Sequence, residues 1–118
     1  MEARAIQRHA RQSPRKMRLV VDLIRGKNVT EAYAILKFNK KYAAKQIEKT
    51  LRSAVANAEQ AALSANESLD IDQLVVTKAV INMGTPLKRF HAAAQGRGVP
   101  IRKRTSHVEI YVGTKETE

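Results

Sequence analysis

The sequence predicts an α+β domain: three helices packed on a small antiparallel sheet, with one long extended β-hairpin. Residues 74–81 and 107–112 are rich in β-branched side chains, and the second run alternates Val108, Ile110 and Val112 on one face. Between these runs, Gly84-Thr85-Pro86 and Gly96-Arg97-Gly98-Val99-Pro100 interrupt the strand pattern without offering a helix. If the two strands pair, residues from about 82 to 106 must turn back on themselves as an arm. Upstream, three runs of apolar residues recur at helical spacing. A chain of 118 residues is expected to form one domain, 1–118, with a modest core.

In order, Ala3, Ala5 and Gln7 alternate with Arg4, Ile6 and Arg8, a pattern that fits a short edge strand; Arg4, Arg8 and Arg11 fit a frayed basic tail equally well. Ser13-Pro14 reads as a helix start, with serine as N-cap and proline in the first turn. Met17, Val20, Val21 and Ile24 then form a core-facing stripe, and Gly26 is expected to end the helix as a left-handed cap. Thr30 is the expected N-cap of a second helix, whose buried face is Ala32, Ile35 and Leu36 and which closes at Phe38-Asn39. A third helix, from about Lys41 to Ala65, carries Ala44, Ile47, Leu51, Ala54, Val55, Ala58 and Ala62 in one stripe. At helical spacing such a stripe is a plain core seam. A polar loop from Asn66 to Asp72 returns the chain to Leu74.

The arm is geometrically unusual. Two arms of about ten residues each, at roughly 3.3 Å per residue, reach about 30 Å. That is comparable to the width of a globule built from the rest of the chain. Ala92-Ala93-Ala94-Gln95 offers no large apolar group to fold it back onto a core.

Charge is unevenly placed within a formal net of +11. Residues 1–27 hold eight basic and two acidic side chains, and residues 28–72 hold six of each. Residues 73–108 hold seven basic side chains and no acid. Two basic zones therefore flank a neutral middle and are the expected contact surface for a polyanion. Arg15, Lys16 and Arg18 lie in a first helical turn, where the dipole disfavours cations unless an anion is near.

Catalytic and metal chemistry is scarce. With no cysteine there is no disulfide framework, thiolate zinc site or cysteine nucleophile. His9, His91 and His107 are scattered, and Asp70 with Asp72 reads as a turn. Gly96-Arg97-Gly98 lacks the Gly-Lys-Ser/Thr that a phosphate-binding loop needs. No enzyme activity, metal or cofactor is expected. No apolar run approaches the ~18 residues of a membrane span, and the N-terminus has no signal-peptide core, so a cytoplasmic location is expected. A free-standing nucleic-acid regulator and an anionic-membrane binder are the competing readings; the second lacks exposed large apolar groups at the arm's alanine-rich apex.

The run from Ser13 to Lys27, SPRKMRLVVDLIRGK, closely resembles the first-helix signature of the bacterial large-subunit ribosomal protein twenty-two family. Ser53-Ala54-Val55-Ala56-Asn57-Ala58-Glu59 resembles the end of its long helix. Leu87-Lys88-Arg89-Phe90, Gln95-Gly96-Arg97-Gly98 and Lys103-Arg104-Thr105-Ser106-His107 resemble its hairpin. The resemblance implies a structural constituent of the large subunit that binds its ribosomal RNA and aids assembly. It also implies that the hairpin lines the nascent-peptide exit tunnel.

The expected RNA-binding residues are Arg4, Arg8, Arg11, Arg15, Lys16, Arg18, Arg25, Lys27, Lys88, Arg89, Arg97, Arg102, Lys103, Arg104, Ser106 and His107. His107 has a second reading as an outward strand position. The resemblance further implies a tunnel-facing tip of Phe90, His91, Ala92, Ala93, Ala94, Gln95 and Gly96. Here the sequence departs from its relatives, which commonly carry a further arginine and a proline at the apex. Implied partners are the RNA, neighbouring large-subunit proteins and the nascent polypeptide, with no membrane and no homo-oligomer.

Overall fold

The protein is described by a computed structural model covering residues 2–92 and 98–114. The elements run β1 (Glu2–Ala10), α1 (Pro14–Val21), α2 (Val29–Phe38), α3 (Tyr42–Ser64), a 3-10 turn (Ile71–Gln73), β2 (Leu74–Met83), β3 (Leu87–Ala92), β4 (Gly98–Lys103) and β5 (Ser106–Thr114). The α+β class and the expected element order both hold. β1, β5 and β2 form an antiparallel sheet in that spatial order, and β3 pairs with β4 in a separate two-stranded sheet.

The helices cover one face of the larger sheet. Val108, Ile110 and Val112 of β5 point into the core with no exposed surface, as their alternation predicts. β2 changes phase part-way: Leu74 and Val76 are buried, then Ala79 and Ile81. The cause is a β-bulge between Val76 and Lys78. One extra residue flips the inward parity, so an unbroken apolar run can present its large side chains to one core on both sides of the bulge. β1 carries a second irregularity between Gln7 and Ala10, where His9 adopts φ 58°.

Met17, Val20, Val21 and Ile24 are all fully buried, so the α1 stripe is the seam it was expected to be. The ends of the helices differ from expectation. Ser13 has the extended backbone of an N-cap, but its hydroxyl makes no capping bond. The α-helix stops at Val21, well before Gly26, and continues as tight turns: Leu23 N–H donates to the Val20 carbonyl (3.0 Å) and Ile24 N–H to that of Val21 (3.1 Å). Gly26 does take the left-handed conformation, at φ 74°. It turns the backbone so that Gly26 N–H reaches the Val76 carbonyl (3.0 Å) and Val76 N–H reaches that of Lys27 (2.9 Å).

The cap of α2 is Asn28, not Thr30. Asn28 Oδ1 accepts from Thr30 N–H (3.0 Å) while its Nδ2 donates to the Asp72 carbonyl (2.6 Å). α3 closely matches its predicted span, and all seven stripe residues are buried. Its alanines let the helix lie close to β1, where Asn57 Nδ2 donates to the Arg4 carbonyl (2.8 Å) and Thr50 Oγ1 to Gln7 Oε1 (3.0 Å).

Candidate nucleic-acid interface

The paired arm emerges from the larger sheet through a tight junction. Gly84 N–H donates to the Thr105 carbonyl (2.9 Å), and Thr105 Oγ1 donates to the carbonyl of Thr85 (2.8 Å). A side chain at Gly84 would collide with Thr105 Oγ1 and press on His107 Cε1 at 3.3 Å, so the close approach needs glycine. Beyond it, the β3–β4 register sets Leu87 opposite Lys103, Lys88 opposite Arg102 and Arg89 opposite Ile101. Phe90, His91 and Ala92 stand opposite Pro100, Val99 and Gly98. The tip positions Ala93, Ala94, Gln95 and Gly96, and the cation Arg97, lie outside the described residues.

On the body, the expected RNA-binding cations divide into two kinds. Arg8, Arg11, Arg15, Lys16 and Lys27 are exposed and have no side-chain ion pair among the described residues. Arg18 and Arg25 are partly committed within the fold. β2 is an edge strand, and its outward carbonyls need donors. Arg18 Nη2 donates to the Ile81 carbonyl (3.0 Å), and Arg25 Nε to the Ala79 carbonyl (2.9 Å). Arg25 also pairs with Asp22. These two guanidiniums seal a sheet edge, a use that sequence reasoning missed because both partners lie more than fifty residues away.

Ser106 has no exposed surface, and its hydroxyl donates to the Gln12 carbonyl (2.6 Å), so it ties the segment after β1 to β5. His107 is half-buried; its Nδ1 accepts from His9 N–H (3.1 Å), and the two rings meet edge to face at 4.9 Å. On the uncovered face of the sheet, Arg4 Nη1 donates to the Tyr111 hydroxyl (3.4 Å), which raises the arginine pKa. Lys78 Nζ lies 5.4 Å from the centre of the same ring. Lys78 lies in the acid-free stretch but was not among the expected RNA-binding residues.

Folding also joins the two basic zones at a cleft. Arg15 and Arg18 of α1 and Arg104 between β4 and β5 line a cleft of about 310 Å³, with Ser13, Pro14 and Met83 completing its wall. Among the described residues, no group of three or more histidines and acids could hold a metal ion, and no helix is long and apolar enough to cross a membrane.

Body, arm and charge define a class of basic α+β proteins that carry a paired hairpin outside their main sheet. The family model described as Ribosomal protein L22p/L17e matches residues 5–113, and the chain belongs to that family. It is similar to the large ribosomal subunit protein uL22 of Clostridium novyi (strain NT), at 54% identity over 95% of this chain and 96% of the relative. The uL22 protein of Macrococcus caseolyticus (strain JCSC5402) is 52% identical over 100% of this chain and 91% of its own length. That of Bifidobacterium longum (strain DJO10A) is 51% identical over 98% of each. The family is one of structural, non-enzymatic ribosomal proteins, which makes the chain a cytoplasmic component of translation.

Proposed function

We propose that this chain is built into the large ribosomal subunit, where it binds ribosomal RNA and aids assembly, and that its hairpin lines the nascent-polypeptide exit tunnel. The observation that carries the reading is the arm itself. A two-stranded hairpin is marginally stable alone in water. Here its register sets Lys88 opposite Arg102, and like charges placed directly opposite are unfavourable. Residues 73–108 contain no acid to relieve that repulsion. RNA phosphates relieve it, with release of their condensed counterions.

In this reading Arg4, Arg8, Arg11, Arg15, Lys16, Lys27, Lys88, Arg89, Arg97, Arg102, Lys103 and Arg104 neutralise phosphates. Arginines also stack on unpaired bases or bind phosphate with paired hydrogen bonds. Arg18 and Arg25 contribute through the guanidinium donors their carbonyl bonds leave over. The tip, Phe90 to Gly96, meets the nascent chain, and neighbouring large-subunit proteins flank the body.

A tagged copy is expected to sediment stoichiometrically with large subunits through a sucrose gradient after a high-salt wash. Recovery at the top of the gradient rejects the reading. With a large-subunit RNA fragment, replacing Arg102, Lys103 and Arg104 together by alanine is expected to flatten the slope of log K against log salt by about two to three units. An unchanged slope removes these three from the phosphate contacts.

A further inference from the structure

We infer that the cleft between α1 and the base of the arm is a socket for a single unpaired nucleotide; this inference rests on the RNA-binding reading above. Arg15, Arg18 and Arg104 reach the cleft from two separate elements, and no acid lines it. Neither of the ion pairs among the described residues involves any of the three. Three guanidiniums gathered without a counter-charge repel one another, so the arrangement favours an anion between them.

The N-terminus of α1 adds donors on the same side. Ser13 leaves it uncapped by any side chain, and no acid stands in the first turn. A bare phosphate would need nothing further, but apart from Ser13 the remaining wall is apolar. Pro14 belongs to it, and so does Met83, which is 61% exposed. Arg104 Nη1 lies 3.6 Å from the Met83 sulfur, so the thioether and the guanidinium plane stand together. A polarisable sulfur beside a guanidinium suits the face of a base, while Arg15 and Arg18 suit its phosphate. The volume, about 310 Å³, lies at the small end of ligand sites and holds one nucleotide but not a duplex. Unstacked nucleotides are what proteins read most readily in RNA.

The test is a nuclear magnetic resonance titration of the full chain, labelled at backbone amides and methionine methyls. The probes are adenosine 5′-monophosphate, inorganic phosphate and a blunt RNA duplex. Adenosine monophosphate is expected to move the Met83 methyl and the Arg15 and Lys16 amides saturably. Arg104→Gln and Arg15→Gln should each weaken that binding about tenfold, a charge-assisted hydrogen bond's worth. Inorganic phosphate should move the amides and leave the Met83 methyl in place. If phosphate and adenosine monophosphate act alike at Met83, the socket for a base is rejected and an anion site remains. If adenosine monophosphate moves neither group while the duplex binds with a normal salt slope, the socket fails and the RNA-binding reading stands. If the duplex does not bind either, both fail together.

Discussion

Asn28 holds two parts of the chain at once, capping α2 and reaching the carbonyl of Asp72. Asn28→Ala is therefore expected to cost about 1–2 kcal/mol in urea unfolding, whereas Thr30→Ala should cost a few tenths at most. Equal losses would mean that Thr30 shares the capping. Both residues are good caps two positions apart, and local sequence could not separate them; the distant carbonyl did. The same holds for Arg18 and Arg25, whose cationic character was legible but whose carbonyl partners on β2 belong to the tertiary fold. Arg25→Ala leaves the Ala79 carbonyl without its donor and is expected to cost about 1 kcal/mol, reduced by the site's partial exposure. Gly84→Ala should destabilise by about 1–3 kcal/mol, since the new methyl would need the Thr105 side chain and its bond to the Thr85 carbonyl to move. A variant with wild-type stability would show that the junction is slack.

Elements were more legible than their ends. The α3 stripe and the β5 alternation gave the core face directly, because periodicity is a local property of the chain. The bulge in β2 was not legible: 74–81 is apolar enough to fit either parity, and only pairing with β5 forces the slip at Thr77. Its hydroxyl donates to the Tyr111 carbonyl at 3.2 Å. Leu51 is fully buried in the helix seam, and Leu51→Ala is expected to lose about 2–5 kcal/mol. The arm should behave differently. β3 and β4 pair only with each other, so replacing 86–104 by a short Asn-Gly turn is expected to keep the unfolding midpoint within about 4 °C. A larger fall would place the arm inside the cooperative unit.

At the scale of the molecule, the longest principal extent is 66 Å, against 28 and 23 Å. A chain so extended and so positive gains from an anionic surround. Sequence alone revealed the two basic zones but not that Arg15 and Arg104 share one cleft, since that meeting depends on where α1 lies against the end of β2. The sheet order has another effect. β5 is the central strand, both edge strands form their ladders with it, and it is the last of the five in the chain. During synthesis, β1, the helices and β2 must all leave the ribosome before any main-sheet ladder can close. The body therefore folds late and through contacts distant in sequence, a slow topology. A chain truncated before Ser106 carries the basic arm and every other element of the body, but lacks the strand on which β1 and β2 meet.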